Sequence, residues 1–399
     1  MPSMLVRTVK IIHTSDWHIG RTFEGAPMAD EQRQFLDWLA RQVVEHGVDL
    51  VLVAGDIYDR SLPAEEATFL LDEGLDGLIA AGAEVVLIPG NHDGALRLGF
   101  GSNRQRLSGV HVMGGSGSVH PWRWETGGEQ VALVSVPYLD PYTAPLPRPG
   151  PDGSHRSRTH QHVLEDALDD ARESLVALRR ATDQPLPAIA VAHAFVAGSE
   201  ESDSERTLSI GGTDRVDAAV FAGFDYVALG HLHRPQRVGG TDAMAYSGSP
   251  LPYSFSEVHP KSVRLLDLGP TGLEETTLLP VPVGRPVVTL EGTLDDLLEN
   301  PAYDTRVDHW VSAVLTDATV QTQPMERLRR RFPHIASVRY AAGISGPGVG
   351  SPEPVDIEEE PADAVVLAFL ADALGDRLTP GGRALVLDAV NQAIREAGR

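Results

Sequence analysis

The chain has 399 residues, 42% hydrophobic and 22% charged, which suits a globular protein of one large domain with smaller additions and excludes a disordered chain. It contains no cysteine, so disulfides, thiolate zinc sites and thiol catalysis are all excluded. With 56 acidic against 33 basic residues the formal charge is −23, which argues against a polyanionic partner unless the contact site is locally positive.

The opening stretch lacks the uninterrupted apolar core of a signal peptide, and no run approaches the roughly 18 to 20 apolar residues of a membrane span. A cytoplasmic protein without a membrane partner is therefore expected. Apolar runs at residues 8–16 (TVKIIHTSD), 48–56 (VDLVLVAGD), 83–91 (AEVVLIPGN), 131–138 (VALVSVPY), 187–194 (PAIAVAHA) and 225–233 (DYVALGHLH) predict buried strands. Between them, residues 30–46, 63–81 and 160–180 carry helical spacing. This alternation predicts an α/β domain with at least partly parallel pairing.

A second pattern starts near Pro286. PVVTLEG, TLDDLLEN, DHWVSAVLTD, QPMERLRRRF and HIASVRY read as strand, helix, strand, helix, strand, closing near Tyr340. The next stretch is rich in Gly and Pro and then acidic, as a flexible linker is. The chain closes with two amphipathic helical stretches split by TPGG, a helical hairpin. The expected domains are residues 1–280, 281–341, a linker at 342–361 and the hairpin at 362–399.

In an open α/β domain, ligands bind beyond the carboxyl ends of the strands. Asp16 and His18 follow the first apolar run, Asp56 the second, and Asn91, His92 and Asp93 the third. His193 ends the fifth run, and His231 and His233 follow the sixth. Carboxylate, imidazole and amide oxygen together are ligands for borderline to hard divalent cations. Asp16, His18, Asp56, Asn91, His193, His231 and His233 are too many for one ion that must keep an open position. They suit two ions sharing a carboxylate, the arrangement that clamps the attacking and leaving oxygens of a phosphoryl displacement. Two such ions bring four positive charges against the two negative charges of Asp16 and Asp56. The site is then locally positive, and the acidic whole is weak evidence against nucleic acid.

Asp-x-His (Asp16, His18), Gly-Asp-x-x-Asp (Gly55, Asp56, Asp59), Gly-Asn-His-Asp (Gly90 to Asp93), His193 and Gly-His-x-His (Gly230, His231, His233) together resemble the signature of the calcineurin-like metallophosphoesterases. Within that superfamily HTSDWHIGR, VAGDIYDR, GNHDG, YVALGHLHRPQ and YSGSPLPYSF resemble the SbcD family, the nuclease subunits of bacterial SbcCD complexes. The resemblance implies a metallophosphoesterase β-sandwich flanked by helices, with a small α/β capping domain and a C-terminal helical hairpin. It implies that Asp16, His18, Asp56 and His233 bind one ion and that Asp56, Asn91, His193 and His231 bind the other, the metal being manganese. His92 matches the family's proton donor to the leaving alkoxide.

Asp93 reads either as the carboxylate that orients the His92 imidazole or as a turn residue. Asp59 stands where archaeal and eukaryotic relatives carry a histidine, and a turn carboxylate is the simpler reading. The resemblance further implies a homodimer inside a heterotetramer with an SbcC-like ATPase docked on the hairpin. Its substrate would be DNA, cut from duplex ends 3′ to 5′ and endonucleolytically in hairpins and single strands.

Arg21, Arg97, Arg104 and Arg106 follow the ligand motifs, and Arg327 and Arg330 lie in the basic run RLRRR. They are either DNA contacts or solvated surface. The Ser and Gly of YSGSP are either substrate contacts or a plain turn. Two other readings fit the same metal core less well: an enzyme of cyclic nucleotides or other small phosphate esters, which has no evident use for the capping unit and hairpin, and a non-catalytic scaffold, which would not need all seven ligands.

Overall fold

The apolar runs fold as strands, and edge strands too polar to stand out in the sequence complete two sheets. A computed structural model describes residues 7–114, 119–150, 152–205, 215–341 and Gly381. In chain order its main strands are β1 (Val9–Thr14), β2 (Leu50–Ala54), β3 (Glu84–Ile88), β4 (Val110–Val112), β5 (Pro121–Thr126) and β6 (Glu129–Val136). They continue with β7 (Ala188–His193), β8 (Tyr226–Gly230), β9 (Gln236–Arg237), β10 (Met244–Tyr246), β11 (Ser262–Gly269) and β12 (Gly272–Pro280). One six-stranded sheet runs β12-β11-β1-β2-β3-β4 and the other β9-β10-β8-β7-β6-β5.

The strands predicted from apolar runs are the central ones. β1 through β4 pair in parallel, as do β6, β7, β8 and β10. The antiparallel strands flank them: the β11–β12 hairpin beside β1, β5 beside β6, and β9 beside β10. β12, GLEETTLLP, is mostly exposed, so it offers no apolar run to read.

The inner faces of the sheets pack on each other, with Ile11, Leu50, Leu52 and Val86 against Leu133, Ile189, Val191 and Tyr226. Helices α1 (Ala29–His46) and α2 (Glu65–Ala81) cover the outer face of the first sheet, and α3 (His160–Arg180) covers that of the second. This is the helix-flanked sandwich expected.

Register places the functional loops. Thr14 lies beside Val53, Ala54 beside Ile88, and Gly230 beside His193. The loops that follow β1, β2, β3, β7 and β8 therefore leave the sandwich at one end.

The second pattern forms a three-stranded parallel sheet of β13 (Val287–Gly292), β14 (Trp310–Leu315) and β15 (Ile335–Tyr340), with α4 (Leu294–Glu299) and α5 (Pro324–Arg329). Leu290, Leu297, Val311, Leu328 and Phe332 make its core. It docks on the sandwich where Trp310 stacks on Phe23, with ring centroids 5.1 Å apart, and where Arg285 pairs with Glu31. The described residues up to Thr316 and over Thr322–Tyr340 form one compact unit, to which Asp317–Gln321 does not belong. The expected linker and helical hairpin lie outside the described residues.

Candidate metal centre

The strand ends bring their polar residues to one place through turns that an ordinary side chain resists. Among the described residues six non-glycine residues have positive φ, and four of them are Asp16 (53°), His18 (44°), Asp56 (49°) and His231 (111°). Left-handed backbone of this kind costs about 1–3 kcal/mol each and persists only where the surroundings over-determine it. Here crossed backbone bonds do so, Asp16 N–H donating to Gly55 O and His18 N–H to Asp56 O, both at 3.0 Å. Two glycines supply the clearance. A Cβ on Gly55 would lie 2.2 Å from His193 Nδ1, and one on Gly90 2.2 Å from Asp56 Oδ1.

Asp56 sits at the centre, 2% exposed. Its Oδ2 lies 3.7 Å from His18 Nε2, 3.5 Å from His193 Nε2 and 3.9 Å from His92 Nε2, and its Oδ1 accepts the His92 N–H at 2.8 Å. His18 Nε2 and His233 Nε2 are 3.1 Å apart. Asn91 Oδ1 lies 2.8 Å from His193 Nε2 and 3.2 Å from His231 Nδ1. Asp16 receives the His231 N–H and the Ser15 hydroxyl. Ligand atoms of Asp16, His18 and His233, and again of Asp16, Asp56 and His193, lie within 4.8 Å of one another. The seven expected ligands thus share one cluster.

Charge and tautomer show what the cluster is suited to hold. His193 Nδ1 donates to Ala54 O at 2.9 Å, so in the neutral ring Nε2 is the atom that presents a lone pair to the oxygens of Asp56 and Asn91. His92 Nδ1 donates to Asp59 O at 2.8 Å, and its Nε2 likewise faces Asp56. Buried acceptors facing acceptors are unfavourable unless a cation lies among them. Burial and the neighbouring imidazoles hold His18 and His231 well below the ordinary imidazole pKa, so both are in the neutral, ligating form at neutral pH. Burial pushes the Asp16 carboxyl up to about 6 against the pull of His193 and His233. Such a carboxylate is one that a bound cation would hold ionised. The buried His18 Nδ1 has no hydrogen-bond partner. The donor set fits divalent cations, and with N and O donors only it fits manganese among others.

Asp93 departs from the orienting role weighed for it. Its two oxygens accept the N–H groups of Ile57, Tyr58 and Gly90 at 2.9–3.0 Å, while the Nδ1 bond of His92 goes to the Asp59 carbonyl. Asp93 is the carboxylate that ties the Asp56 loop to the Asn91 loop, and burial with the Asp56 charge raises it to about 7. Asp59 is more than a turn residue: its Oδ1 lies 3.7 Å from His18 Nδ1 and 3.4 Å from Arg21.

Arg21 is half-buried over the Tyr253 ring. Arg97 is exposed and donates to Ser61 O, and Arg104 and Arg106 are exposed in the next turns. Arg327 and Arg330 lie on and just after α5 in the small sheet, paired with Asp295 and Glu326. In YSGSP, Ser247 and Ser249 are fully buried and bonded internally, which is the turn reading.

Sequence reasoning missed the groups behind His233. Ser204 Oγ is 2.6 Å from its Nδ1, Glu205 accepts its N–H at 2.7 Å, and buried Glu257 lies 3.5 Å away, paired with buried Lys261. Gln32 was missed too; from α1 it donates to His18 O and accepts from Gly20 N. None of these belongs to a motif quoted above, and none ends an apolar run.

Residues 9–235 match the model of the calcineurin-like phosphoesterases, and residues 283–372 match the SbcD C-terminal model, described as the type 5 capsule protein repressor C-terminal domain. The chain is 34% identical to the SbcD subunit of nuclease SbcCD from Escherichia coli (strain K12) over 291 residues, 72% of each protein. It is 30% identical to the SbcD subunit of nuclease SbcCD from Staphylococcus epidermidis over 333 residues, 83% of this chain and 85% of that one. A solved dimetal phosphatase from Danio rerio overlaps 68% of this chain and 99% of its own at 13% identity and a TM-score of 0.39, a loose likeness that by itself assigns nothing.

Proposed function

This chain belongs to the calcineurin-like phosphoesterases and, among them, to the SbcD nuclease subunits, and from that premise we propose that it is the DNA-cutting subunit of an SbcCD-like complex. The observation that carries the reading is the cluster around Asp56, in which seven N and O ligands converge with His92 beside them. Asp16, His18, Asp56 and His233 would hold one manganese ion and Asp56, Asn91, His193 and His231 the other. Bound there, the ions supply charge stabilisation for in-line displacement at phosphorus.

The chain's own residues do the rest. His92 is anchored at both its backbone N–H and its Nδ1, which turns its Nε2 toward Asp56 Oδ2, 3.9 Å away. Once the ring has taken up a second proton from solvent, the imidazolium, still bonded through Nδ1 to Asp59 O, would give its Nε2 proton to the departing sugar oxygen and return to the neutral form. Asp93 and Gln32 fix the loops that carry the ligands. The crossed backbone bonds at Asp16 and His18 keep the cluster shaped without a substrate.

The activities that go with this family are 3′-to-5′ removal of duplex ends and endonucleolytic cutting of hairpins and single strands, in the cytoplasm. The partner is an SbcC-like ATPase bound by the C-terminal hairpin, and the chain itself is a homodimer within a heterotetramer. Self-association is supported by Leu96, Phe100 and Leu107, each more than 80% exposed just after the Gly-Asn-His-Asp loop. No helix among the described residues is long and apolar enough to cross a membrane.

The test is purified chain with manganese on end-labelled linear duplex DNA, beside His92→Ala and a chelator control. Degradation lost with the chelator, and reduced about 100-fold or more in His92→Ala, is the expected result. Intact DNA alongside hydrolysis of a small phosphodiester would move the reading to small phosphate esters, and inertness toward both would move it to a scaffold.

A further inference from the structure

We infer that Ser204 and Glu257 form a positioning relay behind His233 that sets how tightly one of the two ions is held, an inference that rests on the two-ion reading above. Ser204 Oγ is 2.6 Å from Glu257 Oε1 and 2.6 Å from His233 Nδ1. A hydroxyl has one proton, and the ionised carboxylate can only accept it. The Ser204 oxygen is then left to accept from His233, which requires the proton of that ring to sit on Nδ1. In the neutral ring Nε2 is thereby the atom left with the lone pair, turned toward Asp16 and His18.

The same segment holds the His233 backbone. Glu205 Oε1 accepts the His233 N–H at 2.7 Å, and Ser202 donates its hydroxyl to Glu205 Oε2 at 2.7 Å.

Glu257 is built in as a fixed anion. Its side chain has no exposed surface, its Oε1 also accepts the Tyr253 N–H at 3.0 Å, and its Oε2 meets Lys261 Nζ and the Ser249 hydroxyl. Lys261 Nζ in turn bonds His233 O at 3.2 Å. A buried ion pair of this kind is a poor device for stability, because desolvation offsets most of the attraction and an apolar pair of similar volume does as well. What this one secures is a permanent negative charge behind an imidazole. His193 and His92 rest instead on the neutral carbonyls of Ala54 and Asp59. A carboxylate behind a ligating histidine fixes its ring and raises its basicity, and losing such a partner typically weakens metal binding about 10- to 100-fold.

The experiment is calorimetric titration of the metal-free full-length chain with Mn2+, with thermal unfolding of each metal-free variant as the folding control. The wild type takes up two ions. Ser204→Ala is expected to unfold within a few degrees of it, keep one ion at wild-type affinity and bind the other about 10-fold or more weakly. Ser204→Thr, which keeps the hydroxyl, restores the second ion. Glu257→Gln weakens the same ion and lowers the unfolding temperature, since it leaves Lys261 uncompensated. Adding Lys261→Met recovers the temperature and not the affinity. Ser204→Ala holding both ions as the wild type does, or losing affinity for both equally, would overturn the relay. A wild-type chain that takes up fewer than two ions would instead overturn the two-ion reading beneath it.

Discussion

Asp56 shows how much of the site a sequence reader can see and how much needs the fold. A carboxylate just past an apolar run is visible as a candidate ligand. Its left-handed backbone and its three imidazole neighbours at 3.5–3.9 Å, each from the end of a different strand, are not. The candidate ligands were legible because strand ends sort them by type. Glu257, Lys261 and Ser204 were not, because none of them follows an apolar run and the burial of Glu257 and Lys261 is created only by the fold. Asp93 was ambiguous for a simpler reason: a carboxylate following a histidine looks the same whether it meets the ring or the backbone.

Another residue sets acid sensitivity. His13 lies between the sheets, bonded to Tyr226 and Leu229 O, and burial with the nearby Arg264 charge lowers it to about 3. The unfolded chain takes up this proton below about 6.5 while the folded chain refuses it until about 3, so stability falls as pH falls through that window. From pH 7 to pH 5 this group alone costs about 2 kcal/mol. His13→Gln is expected to flatten that part of the pH dependence of unfolding in urea, and an unchanged slope would remove His13 from the account.

At the scale of elements, the six apolar runs and three long amphipathic stretches were readable because each is buried on at least one side over most of its length. The edges were not. β12 and the short β4 and β9 get their order from a neighbouring strand rather than from their own composition. Docking of the small sheet was equally hidden, since its centre is an aromatic stack between Phe23 in a short ribbon and Trp310 at the start of β14, joined by the Arg285–Glu31 pair. Trp310→Ala should cost about 3 kcal/mol or more in urea unfolding. A loss below about 1 kcal/mol would mean that the small sheet docks by other contacts.

For the whole molecule, the formal charge of −23 sets the terms on which a polyanion is met. Several arginines weighed as DNA contacts are already paired with carboxylates or carbonyls, Arg21 with Asp59, Arg97 with Ser61 and Arg327 with Asp295. Attraction to DNA then rests heavily on the ions. His92→Ala, which retains every ligand, is expected to bind duplex DNA in manganese and to lose about 10-fold or more in affinity with chelator at equal ionic strength, read by fluorescence anisotropy. Equal affinity in both conditions would place the attraction on the protein surface.

The most direct test of the two-ion cluster is diffraction from crystals grown with manganese, with data collected at the manganese absorption edge. Two anomalous peaks flanking Asp56, one beside His18 and His233 and the other beside Asn91, His193 and His231, are predicted. A single peak, or peaks away from Asp56, would contradict the account.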